Sequence, residues 1–338
     1  MEQPRSTSHP LGDCLRLCRT HRLEWKESRQ QGVMDTITIL MGVYKGGDFL
    51  PEQLASMLGQ THSAWHLIAS DDSPVDDSRH LLKRFSREHS GRMSLVRGPG
   101  VGFSANYLSL LRAAPSGYVA LADQDDVWHP DKLARAHAAL ATLPAGRPAL
   151  YCARVQPWDG AVPLGAPARA LARPLGFANA LIENVAVGNT IVLNPPAVDL
   201  ARQAAQHTTQ VFAHDWWLYQ LITGTGGIVY HDDGPPVLLY RQHGGNAIGA
   251  GRGIVAQLRR KSGVLRGAFA QRLSLNADAL EQSRALLTPE NRTLFDAFET
   301  ARAQSGTARL WQLARLGVYR QRPLKTAGFF GAAALGRI

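Results

Sequence analysis

Cysteine is scarce in this chain of 338 residues, and long apolar runs are absent. Cys14, Cys18 and Cys152 are too few and too unevenly placed for a framework of disulfide bonds, so the sequence favours a reducing compartment over secretion. No stretch approaches the roughly 18 apolar residues of a membrane-spanning helix, and residues 1–33 lack the apolar block of a signal peptide. We therefore expect a cytoplasmic protein that is not integral to a membrane.

The first 33 residues show no sustained periodicity, and we expect them to form a poorly ordered leader. Met34 stands directly before the first strand pattern and is an alternative start of the natural chain. The spacing of Cys14, Cys18 and His21 does not predict a zinc site, because no fourth ligand is evident.

Positive charge is concentrated at one end of the chain. Residues 1–251 contain 22 basic and 22 acidic residues, whereas residues 252–338 contain 15 basic and 5 acidic ones. The pattern from Val255 onward predicts helices, so we interpret residues 252–338 as a basic helical C-terminal region. Such a region is attracted to an anionic surface, either phospholipid or nucleic acid, although a solvated helical face explains the charge as well.

Between residues 34 and 251, apolar β-type runs alternate with amphipathic helical stretches. The runs predict strands at residues 36–41, 65–70, 93–97, 118–122, 149–153, 190–194, 227–231 and 237–241. Helices are expected to begin near Phe49, Ser104 and Pro130. This alternation is typical of a doubly wound α/β sheet, and it predicts one domain at residues 34–251.

Two of the predicted strands end in carboxylates. Asp71 and Asp72 follow the second strand, and the segment Asp123-Gln124-Asp125-Asp126 follows the fourth. Ligands bind at the carboxyl ends of strands in an open parallel sheet. Three carboxylates within four positions repel one another unless a cation neutralises them, and carboxylate oxygens suit Mg²⁺ or Mn²⁺. The alternation of side chains along a strand would let Asp123 and Asp125 face the same way. The alternative is a solvated acidic turn that caps the helix near Pro130.

The segment Asp123-Gln124-Asp125-Asp126-Val127-Trp128 resembles the DQDDVW signature of family 2 glycosyltransferases, particularly the rhamnosyltransferase-like group. Other motifs resemble the family in the same order, at residues 39–46, 70–73, 102–106, 188–190, 214–217 and 240–246. One departure is Asp72-Ser73-Pro74-Val75-Asp76, where the family has Asp-Gly-Ser-x-Asp, and it puts the shape of that loop in doubt. The resemblance covers residues 36–250 and implies a GT-A fold and an inverting mechanism.

The resemblance also implies roles for individual residues. The donor nucleotide is expected to contact Tyr44, Asp71, Asp72, Asn106 and Asp123, and the metal is expected to bind Asp123, Asp125 and His243. The diphosphate and acceptor side is expected to include Gly188, Asn189, Arg241 and His243. For Arg241 and His243, a surface strand end is the alternative interpretation.

An inverting transfer needs a general base near the acceptor hydroxyl, and Asp215 has the expected position. It precedes Trp216 and Trp217, whose burial would raise its pKa, although a helix N-terminal carboxylate fits the same pattern. His214 is expected to be a bystander, and Asp126 receives no role.

The absence of several sequence motifs argues against certain classes of enzyme. It has no GxxxxGK[ST] loop and no GxGxxG after the first strand, which argues against a Walker ATPase and a dinucleotide-binding enzyme. The Gln-x-x-Arg-Trp element of processive polysaccharide synthases is missing, so we predict addition of a single sugar. The resemblance implies a deoxyhexose such as rhamnose as this sugar, and a role in the assembly of cell-surface polysaccharide or glycolipid.

The expected partners are a nucleoside-diphosphate sugar, a saccharide or lipid-linked acceptor and, through the C-terminal region, the anionic inner face of the cytoplasmic membrane. Nucleic acid is not expected as a partner. Two alternatives remain at this point: a metal-dependent sugar nucleotidyltransferase, which releases pyrophosphate, and a nonenzymatic basic protein that binds membrane or nucleic acid.

Overall fold

The computed structural model describes residues 36–74, 78–167, 170–243 and 267–338. Several of the predictions above concern residues outside these ranges. They include the leader at residues 1–33, the end of the motif at residues 240–246, the boundary near residue 251 and the beginning of the basic C-terminal region, up to residue 266.

Seven strands form the main sheet, and three short strands form a second one. The strands are β1 (Ile37–Val43), β2 (Trp65–Asp71), β3 (Met93–Arg97), β4 (Tyr118–Ala122), β5 (Val127–Trp128), β6 (Ala149–Ala153), β7 (Gln156–Trp158), β8 (Val192–Leu193), β9 (Ile228–Asp232) and β10 (Leu238–Arg241). The order in the main sheet is β3-β2-β1-β4-β8-β6-β9, and β5-β10-β7 is the order in the second sheet. Only β8 runs antiparallel to its neighbours in the main sheet, so the sheet is mixed.

The described residues contain eleven helices. They are α1 (Leu50–Leu58), α2 (Ser78–Glu88), α3 (Phe103–Arg112), α4 (Lys132–Ala141), α5 (Phe177–Ala180), α6 (Pro195–His207), α7 (His214–Gly224), α8 (Ala268–Glu281), α9 (Pro289–Ala303), α10 (Gly306–Arg315) and α11 (Pro323–Ala334). One hydrophobic cluster joins α1, α2 and α4 to the sheet, and another joins α3, α6 and α7 to its opposite face. Helices therefore cover both faces, as expected for a doubly wound sheet.

The alternation of side chains along β1 explains why both faces can be packed. Ile37, Ile39 and Met41 lie in the first cluster, whereas Leu40 points to the second. Apart from Thr38, the strand contains no polar side chain, because it is covered on both sides.

The register of the central strands brings their carboxyl ends together. Val43 at the end of β1 pairs with Asp71 at the end of β2, and Met41 pairs with Ala122 at the end of β4. The loops that follow these three strands consequently meet at one edge of the sheet. This edge carries both of the acidic segments found in the sequence.

The second sheet was not predicted, because two of its strands are only two and three residues long. Strand β10 was predicted, but it pairs with β5 and β7 rather than with the main sheet. This pairing places Arg241 and the following His243 beside the acidic turn.

The C-terminal helices pack on the rest of the protein. Phe298 of α9 and Phe329 of α11 share a hydrophobic cluster with Phe177 of α5 and Trp216 of α7. Arg272 of α8 reaches the wall of the main cavity. No helix in the described parts of the chain is both long and apolar enough to cross a membrane.

Candidate active site

A cavity of about 800 Å³ opens at the carboxyl edge of the main sheet. It brings together most of the site residues predicted from the sequence. Those that line it are Tyr44, Asp72, Asn106, Asp123, Asp125, Gly188, Asn189, Asp215 and His243. Asp71 and Arg241 are not among the lining residues.

The acidic segment Asp123–Asp126 forms a tight turn between β4 and β5. A turn, and not strand alternation, therefore sets the directions of Asp123 and Asp125. Each of Asp123, Asp125 and Asp126 offers a carboxylate oxygen, and these three atoms lie within 4.8 Å of one another. The turn does not cap α4, whose N-cap residue is Asp131.

Burial and mutual repulsion affect the acidity of the cluster. Burial raises the pKa of Asp123 to about 7, and the negative charge of Asp125 contributes to the same shift. The pKa of Asp126 is raised well above its ordinary value, also mainly by burial. The nearby Lys132 compensates these negative charges only in part, and a divalent cation would supply further positive charge. The all-oxygen donor set fits a hard cation better than zinc.

Gln124 connects the acidic turn to the loop after β1. Its Oε1 accepts a hydrogen bond of 2.8 Å from the backbone N–H of Tyr44, and its Nε2 donates one of 2.9 Å to the Tyr44 carbonyl. A Cβ at Gly46 would lie 2.4 Å from Gln124 Oε1, so only glycine leaves room for this carboxamide. Gln53 supports the turn from α1 by donating 2.8 Å to the carbonyl of Asp123. Sequence reasoning missed these supports because they depend on contacts between distant segments.

Arg241 lies beneath the turn, with its guanidinium next to the rings of Phe49 and Trp158 at 4.9 and 4.4 Å. Its Nε donates a hydrogen bond of 2.8 Å to the carbonyl of Asp125, and its guanidinium also pairs with Glu52. Its side chain is only 9% exposed, so this cation supports the backbone of the turn in the described structure. Arg241 does not line the cavity, and its expected contact with the leaving diphosphate stays a prediction.

His243 contacts the acidic turn directly. Its Nε2 lies 2.7 Å from Asp125 Oδ2, and its ring stacks on Phe49 with a centroid distance of 4.6 Å. Because His243 also lines the cavity, it remains in a position to contact a metal or a phosphate.

Asp126, which had no role in the sequence analysis, is fully buried. Its Oδ2 accepts a hydrogen bond of 2.6 Å from Asn189 Nδ2, and its Oδ1 accepts one of 3.2 Å from the backbone N–H of Arg241. The buried ammonium of Lys132 lies 3.2 Å from the ring centre of Trp128. Burial lowers the pKa of Lys132, whereas the negative charges of Asp126 and Asp123 raise it. Asp126 therefore anchors the turn within the protein.

Asp215 lies in the first turn of α7, and its side chain borders the cavity. Its Oδ1 accepts a hydrogen bond of 2.6 Å from the backbone N–H of Trp216. Burial raises the pKa of Asp215 to about 6, while hydrogen bonds from Trp216, Asn184 and Gly188 limit the rise. Since Trp216 and Trp217 are buried, the environment has the apolar character expected from the sequence.

The two aspartates after β2 occupy different environments. Asp71 is 2% exposed, and its carboxylate accepts hydrogen bonds from the backbone of Ser73 at 3.0 Å and from Arg79 at 3.3 Å. Asp72 borders the cavity and accepts a hydrogen bond of 2.5 Å from the backbone of Gly100. Of the two, only Asp72 borders the cavity, while Asp71 stabilises the loop, and the donor contact expected of each stays a prediction.

Tyr44 and Asn106 complete the donor side of the cavity. Tyr44 lines the cavity and is 55% exposed, so its ring is accessible to a ligand. The carboxamide of Asn106 is buried and forms two hydrogen bonds with Ser70. Its Nδ2 donates a bond of 3.0 Å to the Ser70 carbonyl, and its Oδ1 accepts a bond of 2.5 Å from the Ser70 hydroxyl. Asn106 thus holds α3 against the end of β2.

Similarity to known proteins agrees with this geometry. Residues 38–155 match the family model described as Glycosyl transferase family 2. The chain is 25% identical over 232 residues to the dTDP-rhamnosyl transferase RfbG of Shigella flexneri, covering 65% of this chain and 77% of RfbG. It is 27% identical over 97 residues to the UDP-Glc:alpha-D-GlcNAc-diphosphoundecaprenol beta-1,3-glucosyltransferase WfgD of Escherichia coli, covering 29% of this chain.

The architecture also resembles solved structures. TarS 1-349 of S. aureus in complex with UDP-GlcNAc superposes with a TM-score of 0.54 at 11% identity, covering 89% of both chains. The described residues therefore have a GT-A-type fold. Over residues 38–155 the chain matches glycosyltransferase family 2, and the resemblance noted in its motifs is confirmed. The chain spans only 38% of WfgD and 38% of EpsE of Bacillus subtilis (strain 168).

Proposed function

We propose that this protein is an inverting glycosyltransferase that moves one sugar from a nucleoside-diphosphate sugar to a hydroxyl of a saccharide or lipid-linked acceptor. One observation carries the proposal: the acidic turn and the carboxylate of Asp215 face the same cavity of about 800 Å³. This volume is in the range of small-molecule sites. The cavity thus combines carboxylates suited to a cation with a separate carboxylate suited to proton transfer.

Asp123 and Asp125 are the proposed ligands of a Mg²⁺ or Mn²⁺ ion, and His243 is a further candidate because it contacts Asp125. A bound divalent cation supplies positive charge that stabilises the departing diphosphate. The nucleotide is proposed to lie near Tyr44 and Asp72, which border the same cavity.

Asp215 is proposed to act as the general base. Its carboxylate takes the proton of the acceptor hydroxyl while the acceptor oxygen forms a bond to the anomeric carbon of the donor sugar. The bond between that carbon and the diphosphate oxygen breaks in the same displacement, so the configuration inverts. A pKa of about 6 leaves Asp215 ionised near neutral pH and keeps it a stronger base than an exposed aspartate.

The similarity to RfbG supports dTDP-rhamnose as the first donor to test, because that relative is named a dTDP-rhamnosyl transferase. The similarity to WfgD supports an acceptor that is linked to a lipid diphosphate. Both similarities support a role in the assembly of a cell-surface polysaccharide or glycolipid.

A screen of nucleotide sugars tests this proposal. We expect one of dTDP-rhamnose, UDP-glucose, UDP-GlcNAc or GDP-mannose to raise the melting temperature of the full chain in the presence of Mn²⁺, and to do so much less after chelation. Asp125→Ala should lose the metal-dependent part of the shift. Equal stabilisation with and without metal would remove the cation from the proposal.

The C-terminal helices provide a proposed contact with membrane. Residues 306–338 contain six Lys or Arg residues and no Asp or Glu. Two apolar side chains are highly exposed on neighbouring helices, Trp311 of α10 at 60% and Leu324 of α11 at 87%. The guanidinium of Arg315 lies 4.5 Å from the ring centre of Trp311. Exposed apolar groups among basic residues are suited to the headgroup region of an anionic bilayer, where a lipid-linked acceptor resides.

Sedimentation with vesicles of phosphatidylcholine and phosphatidylglycerol tests this contact. We expect the wild-type chain to sediment with these vesicles, and Trp311→Ser combined with Leu324→Ser to weaken sedimentation several-fold. Val162→Ser is a matched control, because Val162 is 56% exposed but lies outside the C-terminal helices. Equal sedimentation of all three proteins would contradict a membrane contact at this surface.

A further inference from the structure

Arg272 of α8 lines the main cavity and is exposed to solvent. Among the described residues that line the cavity, no other has a Lys or Arg side chain. The same lining includes the carboxylates of Asp72, Asp123, Asp125 and Asp215. An arginine guanidinium is always charged in proteins, so one permanent cation stands at the rim of a cavity that is otherwise rich in negative charge.

Contacts with the segment before α7 fix the position of this cation. The guanidinium carbon of Arg272 lies 4.8 Å from the ring centre of Phe212, which also lines the cavity. One turn further along α8, Oδ1 of the buried Asn276 accepts a hydrogen bond of 3.2 Å from the backbone N–H of Phe212. Because Phe212 stands three residues before Asp215, these contacts place Arg272 on the same side of the cavity as the proposed base.

The guanidinium of Arg272 is available to a ligand. It forms no ion pair and no hydrogen bond with the residues that the structure describes, and the ring of Phe212 is its aromatic neighbour. Contact with an aromatic ring restrains a guanidinium without using its N–H groups. These N–H groups form a planar fork that matches two oxygens of a phosphate, and hydrogen bonds between charged groups are stronger than those to a neutral hydroxyl.

Exposed apolar surface lies near this cation. The ring of Phe103 lines the cavity and is 40% exposed. The hydroxyl of Ser104 donates a hydrogen bond of 3.1 Å to the carbonyl of Phe212, so Phe103 is close to the segment that Arg272 contacts. This side of the cavity therefore offers a cation for a phosphate and an apolar ring for a hydrocarbon chain. A saccharide that is joined to a lipid through phosphate has both parts.

We propose that Arg272 binds a substrate phosphate at the rim of the cavity, and that this phosphate is the one that joins a lipid-linked acceptor saccharide to its lipid. This inference rests on the proposed glycosyltransferase function. The diphosphate of the donor has the same chemistry, but its proposed partner is the cation at Asp123 and Asp125. Arg272 thereby positions the acceptor on the side of Asp215 and favours acceptors that carry a phosphate.

Three variants isolate the role of the guanidinium. Arg272→Gln removes the positive charge but keeps a polar side chain against Phe212. Arg272→Lys keeps the charge without the planar fork, so it should retain part of the binding. Arg92→Gln is the matched control, because the guanidinium carbon of Arg92 lies 4.9 Å from the ring centre of Trp65 but Arg92 does not line the cavity.

Two probes differ only in the phosphate. One is GlcNAc, the saccharide named in the WfgD acceptor, joined to a decyl chain through diphosphate, and the other is decyl α-GlcNAc. Each full-length protein is titrated with both probes. Mn²⁺ and the tightest of dTDP, UDP and GDP are present, so that the donor's diphosphate site is occupied.

We expect the wild type to bind the diphosphate probe more tightly than decyl α-GlcNAc. Arg272→Gln should weaken binding of the diphosphate probe by about tenfold and leave binding of decyl α-GlcNAc and of the nucleoside diphosphate unchanged. Arg272→Lys should lie between Arg272→Gln and wild type. Arg92→Gln should bind both probes as the wild type does, and the melting temperatures of wild type, Arg272→Gln and Arg272→Lys should agree.

Equal affinity of wild type and Arg272→Gln for the diphosphate probe would overturn the inference, because an unused surface arginine can be replaced without loss. Equal losses in Arg272→Gln and Arg92→Gln would overturn it as well. If Arg272→Gln weakens only the nucleoside diphosphate, the phosphate belongs to the donor and the acceptor assignment is wrong. Wild-type protein that neither binds a nucleotide sugar nor transfers a sugar would contradict the proposed function itself, and this inference with it.

Discussion

Asn189 Nδ2 donates a hydrogen bond of 2.6 Å to Oδ2 of the buried Asp126. This contact joins the acidic turn to the 3-10 turn Gly188–Thr190, which lies against Asp215. The proposed metal side and the proposed base side of the cavity are therefore connected through a single pair of buried side chains. The arrangement gives Asp126 a supporting role that differs from those of Asp123 and Asp125.

Removing Asn189 should destabilise the protein. Asn189→Ala leaves Oδ2 of the buried Asp126 without its side-chain donor, and we expect the free energy of unfolding to fall by roughly 1–3 kcal/mol. Denaturant unfolding of Asn189→Ala, Asp126→Asn and the double variant measures the coupling. Strictly additive effects of the two substitutions would show that the pair is not coupled.

The fit between Gly46 and Gln124 should be essential for the shape of the acidic turn. In Gly46→Ala, the new Cβ displaces the Gln124 carboxamide and breaks its two bonds to Tyr44, so we expect transfer activity to fall about tenfold. Gly146→Ala is the control, since a Cβ at Gly146 meets no atom within 4 Å.

Adding Gly46→Ala to Gln124→Ala should cause no further loss, because the group that clashes is gone. Full activity in Gly46→Ala alone would contradict the role of this contact.

The sequence was sufficient to predict the central sheet, because β1, β2, β3 and β4 carry apolar runs that end in recognisable turns. It was not sufficient for β5 and β7, since strands of two and three residues have no detectable periodicity. The pairing of β10 with these strands, which determines the position of Arg241, therefore could not be predicted.

The candidate site was likewise predictable only in part. The acidic segment and Asp215 are visible as carboxylates at characteristic positions, and the structure places them around one cavity. The buried positions of Asp71 and Arg241 depend on partners such as Arg79 and Glu52, which the linear sequence does not identify. His214 was expected to be a bystander. The sequence does not show that both of its ring nitrogens are buried without a hydrogen-bond partner among the described residues, because this depends on its neighbours in the fold.

The pH dependence of transfer should follow the ionisation of Asp215. Burial raises its pKa to about 6, and only the ionised carboxylate can accept a proton. We expect kcat/KM to be constant at higher pH and to fall by about tenfold per pH unit below pH 6. The profile is measured at saturating metal. If kcat/KM begins to fall only near pH 4, the ionising carboxylate has an unperturbed pKa, and this result would contradict the assignment of Asp215 as the general base.

Metal affinity should also depend on pH, because a carboxylate must lose its proton before it binds a cation. The pKa of Asp123 is about 7 in the metal-free site, so a proton competes with the metal below that pH. We expect Mn²⁺ to bind about tenfold more weakly at pH 6 than at pH 8, as measured by calorimetric titration. Equal affinity at both values would show that Asp123 is not a titrating ligand.

Product analysis tests the central claim most directly. The full-length wild-type chain is incubated with Mn²⁺, the best nucleotide sugar and a lipid-linked saccharide acceptor, in parallel with Asp215→Asn and with a chelated sample. The account predicts a nucleoside diphosphate and a glycosylated acceptor of inverted anomeric configuration from the wild type, and neither product from Asp215→Asn or after chelation. Release of pyrophosphate, or full transfer by Asp215→Asn, would contradict it.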